Sequence, residues 1–315
     1  MDLLTDVLHE AGLKRRVLDL RNLDDLTALE FPCDRSMGLH VVTRGQIHIH
    51  APSLAEPLEL AAGSVALMAR GCTHVLSTSR SYDPMHKVSV AGEFAQPGPD
   101  FAPCPATSSL ISGAYQFWNN PIHALFREIP DWFVLNTQSL GSFHPLTLTI
   151  GLLDEELRRP SLGGQTIIYG LLDVIFTYLI REMVNRIGHA KPGWSYAIAD
   201  LQIRKAVAAL HADPTEAWTL DALAGRAGLS RTVFAERFRR AMGDTPLSYL
   251  RNLRVQRAMN LLAETPQTLE HVARVAGFSD AFAFSKAFKK IVGQSPKDFR
   301  LQAKLDQASP WRLHR

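Results

Sequence analysis

The N-terminal part of the chain alternates apolar and polar positions with a period of two, the pattern of short strands whose successive side chains face opposite ways. Six such runs lie between residues 36 and 92: Leu39–Thr43, Gln46–His50, Pro57–Leu60, Val65–Met68, His74–Ser77 and Lys87–Val90. Arg44 and Gly45 separate the first two runs and predict a hairpin. Short strands at this spacing predict a sandwich or a jelly-roll barrel.

The apolar pattern changes to a helical period after residue 121. Pro145–Arg158 and Gly164–Val184 carry apolar residues three or four positions apart, which predicts two helices packed on the barrel. Their apolar faces fit either a dimer surface or the core of their own domain, and we favour a homodimer. The Gly- and Pro-containing segment Gly188–Gly193 predicts an interdomain linker.

An internal repeat occupies the C-terminal third of the chain. The first copy runs from Leu220 to Pro246 and the second from Leu269 to Pro296. Early positions match at an offset of 49 residues and later ones at 50, so the second copy holds one extra residue at its turn or helix start.

Each copy predicts a helix, a tight turn and a second helix. In the first copy Gly228 lies where a helix ends with left-handed backbone angles, and Ser230 lies where the next helix needs a cap. Phe234 and Phe238 lie one turn apart and predict the buried face of that helix. The equivalent residues of the second copy are Gly277, Ser279, Phe284 and Phe288. This is the pattern of a helix-turn-helix, whose second helix enters the major groove of DNA.

The outward faces of the two second helices are the candidate DNA-binding surfaces. In the first copy the outward and flanking residues are Arg231, Thr232, Ala235, Glu236, Arg237, Arg239 and Arg240. In the second copy they are Phe282, Ser285, Lys286, Lys289 and Lys290. Basic residues at the edges can hold phosphates, while the middle of the helix can meet base edges. A solvated basic face is the alternative, and two registered copies favour DNA.

The segment between the copies predicts one long helix. Pro246 suits its first turn, and the roughly 18 residues to Glu264 span roughly 27 Å. Such a helix can hold two reading helices about one DNA turn apart, roughly 34 Å. Phe282 either touches a thymine methyl or packs against the neighbouring helix, and packing is slightly favoured.

Charge separates the two parts of the chain. Residues 1–199 carry 15 Lys and Arg against 20 Asp and Glu, net −5, whereas residues 200–315 carry 19 against 11, net +8. Only the C-terminal part is therefore expected to meet a polyanion. The N-terminus is acidic, unlike a signal peptide, and no run reaches the roughly 18 apolar residues of a membrane span. We expect a cytoplasmic protein with no membrane partner.

Residues 200–300 resemble the AraC/XylS family of bacterial transcription regulators. The motifs A-x-x-x-G-F-S, F-x-x-x-F-K-K and G-x-S-P-x-x-F-R occur between Ala273 and Arg300. The pattern P-x-x-Y-L-x-x-x-R-x-x-x-A-x-x-L-L runs from Pro246 to Leu262. The resemblance implies a sequence-specific regulator and not an enzyme, with double-stranded promoter DNA as partner and no cofactor. It also implies a small-molecule effector and, for an activator, contact with RNA polymerase.

Gly63–His74 resembles the second cupin motif, G-x5-P-x-G-x2-H, with Ala69 in place of the proline. Regulators of the AraC type commonly carry a cupin sensor, so the predicted fold class is α+β, a cupin-like barrel followed by an all-α double helix-turn-helix. The predicted boundaries are 1–187 for the sensor and dimerisation domain (barrel about 1–118, helices about 121–187), 188–197 for the linker, 198–302 for the DNA-binding domain and 303–315 for a tail.

Four histidines are candidate effector-binding residues: His40, His48, His50 and His74. The metal site of cupins also needs an H-x-H and a glutamate. The H-x-H would fall near Phe31–Arg35, which contains no histidine, and the glutamate position is occupied by Gly38. His48 and His50 share one strand face and form either a metal site with His40 or His74, or a polar face. We expect no metal, and a barrel that holds a small molecule in an apolar interior.

The three cysteines are Cys33, Cys72 and Cys104, an odd and sparse set that fits a reducing compartment. Each could sense oxidants if its thiolate is stabilised, or could be a buried structural residue, which is commoner. A thiol redox regulator and a metal-binding cupin module are therefore the alternative functions.

Overall fold

The structure is a computed structural model and describes residues 4, 13–32, 36–83, 85–90, 107–117, 125–126, 129–159, 161–187 and 200–308. Its architecture is mixed α+β, with strands in the N-terminal region and helices in the C-terminal region. The chain divides into two compact units. Of the described residues, those within 15–116 and 129–185 form the sheet unit, and those within 186–308 form the main part of the helical unit.

Ten strands in the described part of the chain form two five-stranded sheets. Their bounds are β1 Leu13–Leu23, β2 Thr27–Pro32, β3 Ser36–Arg44, β4 Gln46–His50, β5 Leu58–Ala61, β6 Ser64–Met68, β7 Thr73–Ser77, β8 His86–Ser89, β9 Ser108–Phe117 and β10 Trp132–Asn136. One sheet has the order β1-β9-β3-β6-β10 and the other β5-β4-β7-β2-β8. Each of the six predicted runs overlaps one strand, which confirms the interpretation of the period-two pattern.

The predicted hairpin at Arg44 and Gly45 is wrong, because β3 and β4 lie in different sheets. Gly45 has φ 73°, and a Cβ there would collide with the carbonyl oxygen of Thr107. The Ser108 hydroxyl ties this corner together, since it accepts from the Gln46 amide at 3.1 Å and donates to the Gln46 carbonyl at 2.7 Å. A glycine is required here because the chain crosses between sheets past the backbone that leads into β9.

The two sheets share one apolar core. Val42, Ala66 and Met68 of one sheet pack with Ile47 and Ile49 of the other, all nearly inaccessible to solvent. Burying a valine, isoleucine or methionine side chain contributes roughly 1.5–3 kcal/mol before entropy is counted. Strand β10 belongs to this sandwich although it follows residue 118, where the sequence predicted the barrel to end.

Two helices follow the last strand in the sheet unit, α1 Pro145–Arg158 and α2 Gly164–Ile187. Both predicted helices are confirmed. Helix α1 begins with Pro145 in its first turn, and the His144 ring accepts a hydrogen bond from the Leu146 amide at 3.2 Å.

Seven helices in residues 200–308 form the described part of the helical unit. Their bounds are α3 Leu201–Ala212, α4 Leu220–Ala227, α5 Arg231–Met242, α6 Pro246–Glu264, α7 Leu269–Val275, α8 Ala281–Val292 and α9 Pro296–Ala308. Helix α9 continues past residue 302, where the sequence predicted a tail to begin. In the described part of the chain, no helix combines the length and apolar character needed to cross a membrane.

Candidate nucleic-acid interface

The repeat folds as two helix-turn-helix heads: the first head is α4 with α5, and the second head is α7 with α8. Gly228 and Gly277, at the two turns, have φ 67° and 85°, so the predicted left-handed glycines are confirmed. Thr219 and Thr268 cap the first helix of each head, because their hydroxyls accept from the amides three residues on, at 3.1 and 3.2 Å. The repeat pattern did not reveal these two caps.

Of the two serines predicted to cap the reading helices, α5 and α8, Ser230 is confirmed at the cap position and Ser279 is wrong. Ser230 lies at the cap position of α5 but makes no capping hydrogen bond with its side chain. In the second head the cap is Asp280, which accepts from the Ala283 amide at 2.7 Å, and Ser279 donates to the Asp280 carboxylate at 2.9 Å. These bonds hold the pKa of Asp280 below its ordinary value. The second copy therefore has its extra residue at the start of the reading helix, where Asp280 follows Ser279.

Paired phenylalanines fix the rotation of each reading helix. Phe234 and Phe238 are fully buried with ring centroids 5.6 Å apart, and Tyr249 of α6 packs edge-on against Phe238 at 5.8 Å. In the second head, Phe284 and Phe288 pack at 5.5 Å in the same manner. Since these rings define the inward side, the opposite side of each helix must face solvent.

The predicted DNA-binding residues lie on those outward sides. In α5, Arg231, Thr232, Glu236, Arg239 and Arg240 are exposed and Ala235 is half-buried. In α8, Phe282, Lys286, Lys289 and Lys290 are exposed and Ser285 is half-buried. Each face therefore has basic residues near its C-terminal end, and Arg231 of the first head lies 3.5 Å from the exposed carboxylate of Asp221.

Arg237 was predicted to flank the reading face, but its side chain is directed to α3, where it forms hydrogen bonds with Asp200 and Gln202. Its guanidinium donates to the Asp200 carboxylate and to the Gln202 side-chain oxygen, both at 2.6 Å. Asp200 also caps α3 by accepting from the amides of Gln202 and Ile203. Burial raises the pKa of Asp200, but the hydrogen bonds from Arg237 and the two amides outweigh burial and lower it. Arg237 thus fastens α5 to α3.

Phe282 does not pack against a neighbouring helix, contrary to the favoured prediction. Its side chain is 81% exposed, although it lies in the first turn of α8, the part of a reading helix that meets base edges. An aromatic ring left in water at this place is available for a contact that forms only on binding.

One continuous helix carries both heads. Helix α6 has 19 residues, which corresponds to about 28 Å. From its middle, the Arg254 guanidinium donates to the carbonyl oxygens of Pro214 at 2.6 Å and Glu216 at 2.8 Å, in the loop before the first head. Arg254 therefore holds the loop that leads into the first head against the joining helix.

The turn of the second head meets the same guanidinium. A Cβ on Gly277 would lie 2.9 Å from Arg254 Nε and 3.0 Å from Thr215 Cα. Only a residue without a side chain allows this approach, in addition to its φ of 85°. Arg254 and Gly277 thus form an inter-head junction, in which a loop of the first head, the joining helix and the turn of the second head are in contact.

The sheet unit brings two of the four candidate histidines together. His40 of β3 and His74 of β7 are buried, and their Nε2 atoms lie 2.8 Å apart. Ser112 Oγ lies 2.8 Å from His40 Nδ1, and the Cys72 carbonyl lies 3.0 Å from His74 Nδ1. Because a carbonyl only accepts, neutral His74 is protonated on Nδ1, so His40 Nε2–H donates to His74 and Ser112 donates to His40.

Both rings of this pair are neutral at pH 7. Burial lowers the pKa of His74 to about 4, although the hydrogen bond to the Cys72 carbonyl raises it. Burial, followed by the repulsion that a protonated His74 would exert, lowers the pKa of His40 well below its ordinary value. Trp132 packs edge-on against His74 at 5.2 Å, and its buried Nε1 has no hydrogen-bond partner in the described structure.

His48 and His50 of β4 do not form a metal-binding group with His40 and His74 in the described part of the chain. His50 Nε2 bonds Ser77 Oγ at 2.8 Å, and His48 lies 3.8 Å from the Glu59 carboxylate. In the part of the chain that the structure describes, no group of three or more His, Cys, Asp or Glu could hold a metal ion.

Of the three cysteines, Cys72 is half-buried with its thiol 3.7 Å from Met68 Sδ. The predictions for Cys33 and Cys104 lie outside the described residues.

Two heads with exposed basic faces on a single helix define a DNA-binding protein. A family model described as a helix-turn-helix domain matches residues 223–302, and one described as cupin matches residues 2–185. Proteins described as AraC-like transcription regulators from Streptomyces lividans and Streptomyces antibioticus are 28% and 27% identical, covering 95% of this chain and 98% of each relative. The chain belongs to the AraC/XylS family of transcription regulators and carries an N-terminal cupin domain.

Two further comparisons extend over different parts of the chain. The regulator AlkR of Acinetobacter baylyi is 32% identical over 167 residues, 52% of this chain and 54% of AlkR. Among solved structures, that of ToxT from Vibrio cholerae covers 91% of this chain and 97% of its own, with 12% identity and a TM-score of 0.37.

We predict that Gly277→Ala destabilises the helical unit more than Gly243→Ala. Both glycines have positive φ, but a Cβ at Gly243 has nothing within 4 Å, so this variant reports backbone strain alone. Overpacking at the inter-head junction should cost about 1–3 kcal/mol more in free energy of unfolding. Urea denaturation, followed by the 19F signal of fluorinated Trp218, measures both variants in the full chain. Equal losses would show that the junction is loosely packed.

Proposed function

We propose that this AraC-type regulator reads promoter DNA with both heads at once, under control of a small-molecule effector bound in the cupin domain. The observation that carries the proposal is the pair of outward basic faces held by α6 and the inter-head junction. Separate heads on a flexible tether would lose orientational entropy on binding, whereas a fixed pair has little to lose. A joining helix of 19 residues, about 28 Å long, suits two heads that enter successive major grooves on one side of the duplex.

The two heads have unequal tasks in this proposal. The middle of the first reading face offers Thr232, Ala235 and Glu236, which include a hydrogen-bonding hydroxyl and an acceptor for cytosine N4. The second face offers Lys286, Lys289 and Lys290, which suit phosphates and G edges. We expect the first head to discriminate bases more and the second to contribute more phosphate contacts. If the regulator is an activator, RNA polymerase is a further partner.

The effector site is proposed in the interior of the cupin domain, close to the His40–His74 pair. The supporting observation is Trp132 Nε1, a buried donor beside that pair with no partner among the described residues. A buried donor left unpaired costs about 1–3 kcal/mol, which an acceptor atom on a ligand would recover. An effector that changes transcription without shifting the 19F signal of Trp132 would contradict this location.

A homodimer is proposed through the exposed apolar side chains of α1 and α2, which we take as its dimer face. Leu148 and Leu152 of α1 are exposed one turn apart, and Ile167 and Val174 of α2 are exposed two turns apart. Exposed apolar side chains on two successive helices are typical of protein–protein contacts. A second copy of the chain is the partner that this proposal assigns to the face.

We predict that Arg239→Ala and Lys289→Ala weaken binding to a selected promoter site and flatten its salt dependence. Loss of one phosphate contact should lower the slope of log K against log salt by about 1. Lys304→Ala of α9 is the matched control, because it removes an exposed lysine outside both reading faces. Fluorescence anisotropy across a salt series measures all three variants. An unchanged slope in the two reading-face variants, or no preference of the native chain over random DNA at equal salt, would refute the proposal.

We predict that Phe282 contacts a thymine methyl. Replacing that thymine with deoxyuracil removes one methyl, and a buried CH2-sized group contributes about 0.8 kcal/mol, or about fourfold in affinity. A deoxyuracil scan of the selected site should show this loss at one position for the native chain, and none there for Phe282→Ala.

Leu301→Ala of α9 is the control for the scan, since it also removes an exposed apolar side chain. Its profile should match that of the native chain. Phe282→Ala should fold normally because the ring is in solvent. If Phe282→Ala gives the same deoxyuracil profile as the native chain, another residue makes the thymine contact.

We predict that Leu152→Arg weakens self-association of the full chain, because it places a charge in the proposed dimer face. Leu26→Arg is the control, since Leu26 is 75% exposed in the sheet unit but lies outside α1 and α2. Sedimentation equilibrium measures the dissociation constant of each variant. The same dissociation constant for Leu152→Arg and Leu26→Arg would place the dimer contact on another surface.

A further inference from the structure

A groove lies between the two heads, and none of the residues that line it belongs to α5 or α8. Its volume is about 510 Å³, within the range of small-molecule sites. The lining residues come from the loop before the first head, from the joining helix and from the turn of the second head: Thr215, Trp218, Leu250, Arg251, Arg254 and Phe278. A molecule in this groove would touch all three parts of the inter-head junction.

The groove is lined by two arginines, Arg251 and Arg254, with which no described carboxylate forms an ion pair. Arg251 is exposed and Arg254 is half-buried. The hydrogen bonds of Arg254 go to backbone carbonyls, which leave its net charge in place. Burial lowers the pKa of Arg254, and the charge of Asp213 raises it by less, as expected for a half-buried cation with no carboxylate in direct contact. An anion in the groove would supply a counter-ion.

The walls of the groove are apolar and are held in place. Trp218 donates its indole N–H to the Asp213 carbonyl at 2.8 Å, and Arg226 lies 5.8 Å from the ring centroid. Phe278 packs on Phe284 of the second head at 5.4 Å. Two half-buried aromatic rings with fixed positions suit a flat apolar ligand. A bare phosphate would leave these rings without a contact, so the combination favours an organic anion.

We propose that the groove binds a small organic anion with a flat apolar body, such as an aromatic carboxylate. The carboxylate pairs with Arg251 and Arg254, and the apolar body lies along Trp218 and Phe278. Because the ligand contacts both heads and the joining helix, its binding further stabilises the head arrangement that the inter-head junction holds. This last consequence, a change in affinity for two-part DNA sites, rests on the proposed function, whereas ligand binding itself does not.

The test uses the full chain labelled with fluorinated tryptophan. Trp218 is the only tryptophan between residues 200 and 308, and the variant Trp218→Phe identifies its 19F signal. Titration with 2-naphthoate should shift this signal to saturation, and the uncharged 2-naphthamide should bind about tenfold more weakly because it lacks the ion pair. Arg251→Gln should also weaken 2-naphthoate about tenfold, whereas Arg204→Gln on α3, outside the groove, should leave the titration unchanged.

The proposal fails if 2-naphthoate leaves the Trp218 signal in place, if the amide binds equally well, or if Arg251→Gln has no effect. It also fails if inorganic phosphate displaces 2-naphthoate at equal concentration, which would make the groove a phosphate contact for DNA. A shift confined to Trp132 would assign the ligand to the cupin domain instead. DNA binding is measured separately, without 2-naphthoate. A chain that fails to bind DNA in that measurement contradicts the proposed function but leaves the proposal of a ligand site in the groove intact.

Discussion

The contact of Arg254 with the backbone on either side of α6 is the constraint on which the DNA-binding unit depends. A helix of 19 residues fixes a distance, but it does not fix how each head is rotated about it. The guanidinium supplies that missing restraint, because its hydrogen bonds hold the loop at Pro214 and Glu216 while Gly277 lies against its Nε. Charge-assisted hydrogen bonds are among the stronger ones in proteins, and here they connect segments about 40 residues apart in the chain. Arg254 and Gly277 therefore act together to orient the two reading helices.

Much of this unit could be predicted from the repeat. Two copies of the same glycine and the same aromatic pair specify a turn and a buried face, and both are present in the structure. Local chemistry was harder to place, because several residues near a helix start can act as the cap. Asp280 caps α8 although Ser279 fits the repeat, since one extra residue moves the helix start. Arg237 fits a basic face equally well by spacing, but its carboxylate partner, Asp200, lies 37 positions away in the chain.

The cupin domain was less open to prediction. Alternation located six strands, but it could not show that β3 and β4 belong to different sheets, because pairing is decided by contacts distant in the chain. The same limit applies to the histidines. His40 and His74 are joined across the two sheets, whereas His48 and His50, two residues apart in β4, bond other partners. The neutral, hydrogen-bonded pair of His40 and His74 lies beside the unpaired Trp132 donor, so these polar groups gather at one place in the described core.

The central claim is that the two heads bind DNA as one rigid body. Its most direct test is the affinity of the full chain for a selected two-part site in which base pairs are inserted between the two parts. Five inserted base pairs turn one part about half a helical turn away from the other, onto the opposite face of the duplex. A rigid pair should then bind no better than it binds a single part alone. Retention of the full affinity after this insertion would contradict the account, because it would show that the heads move independently.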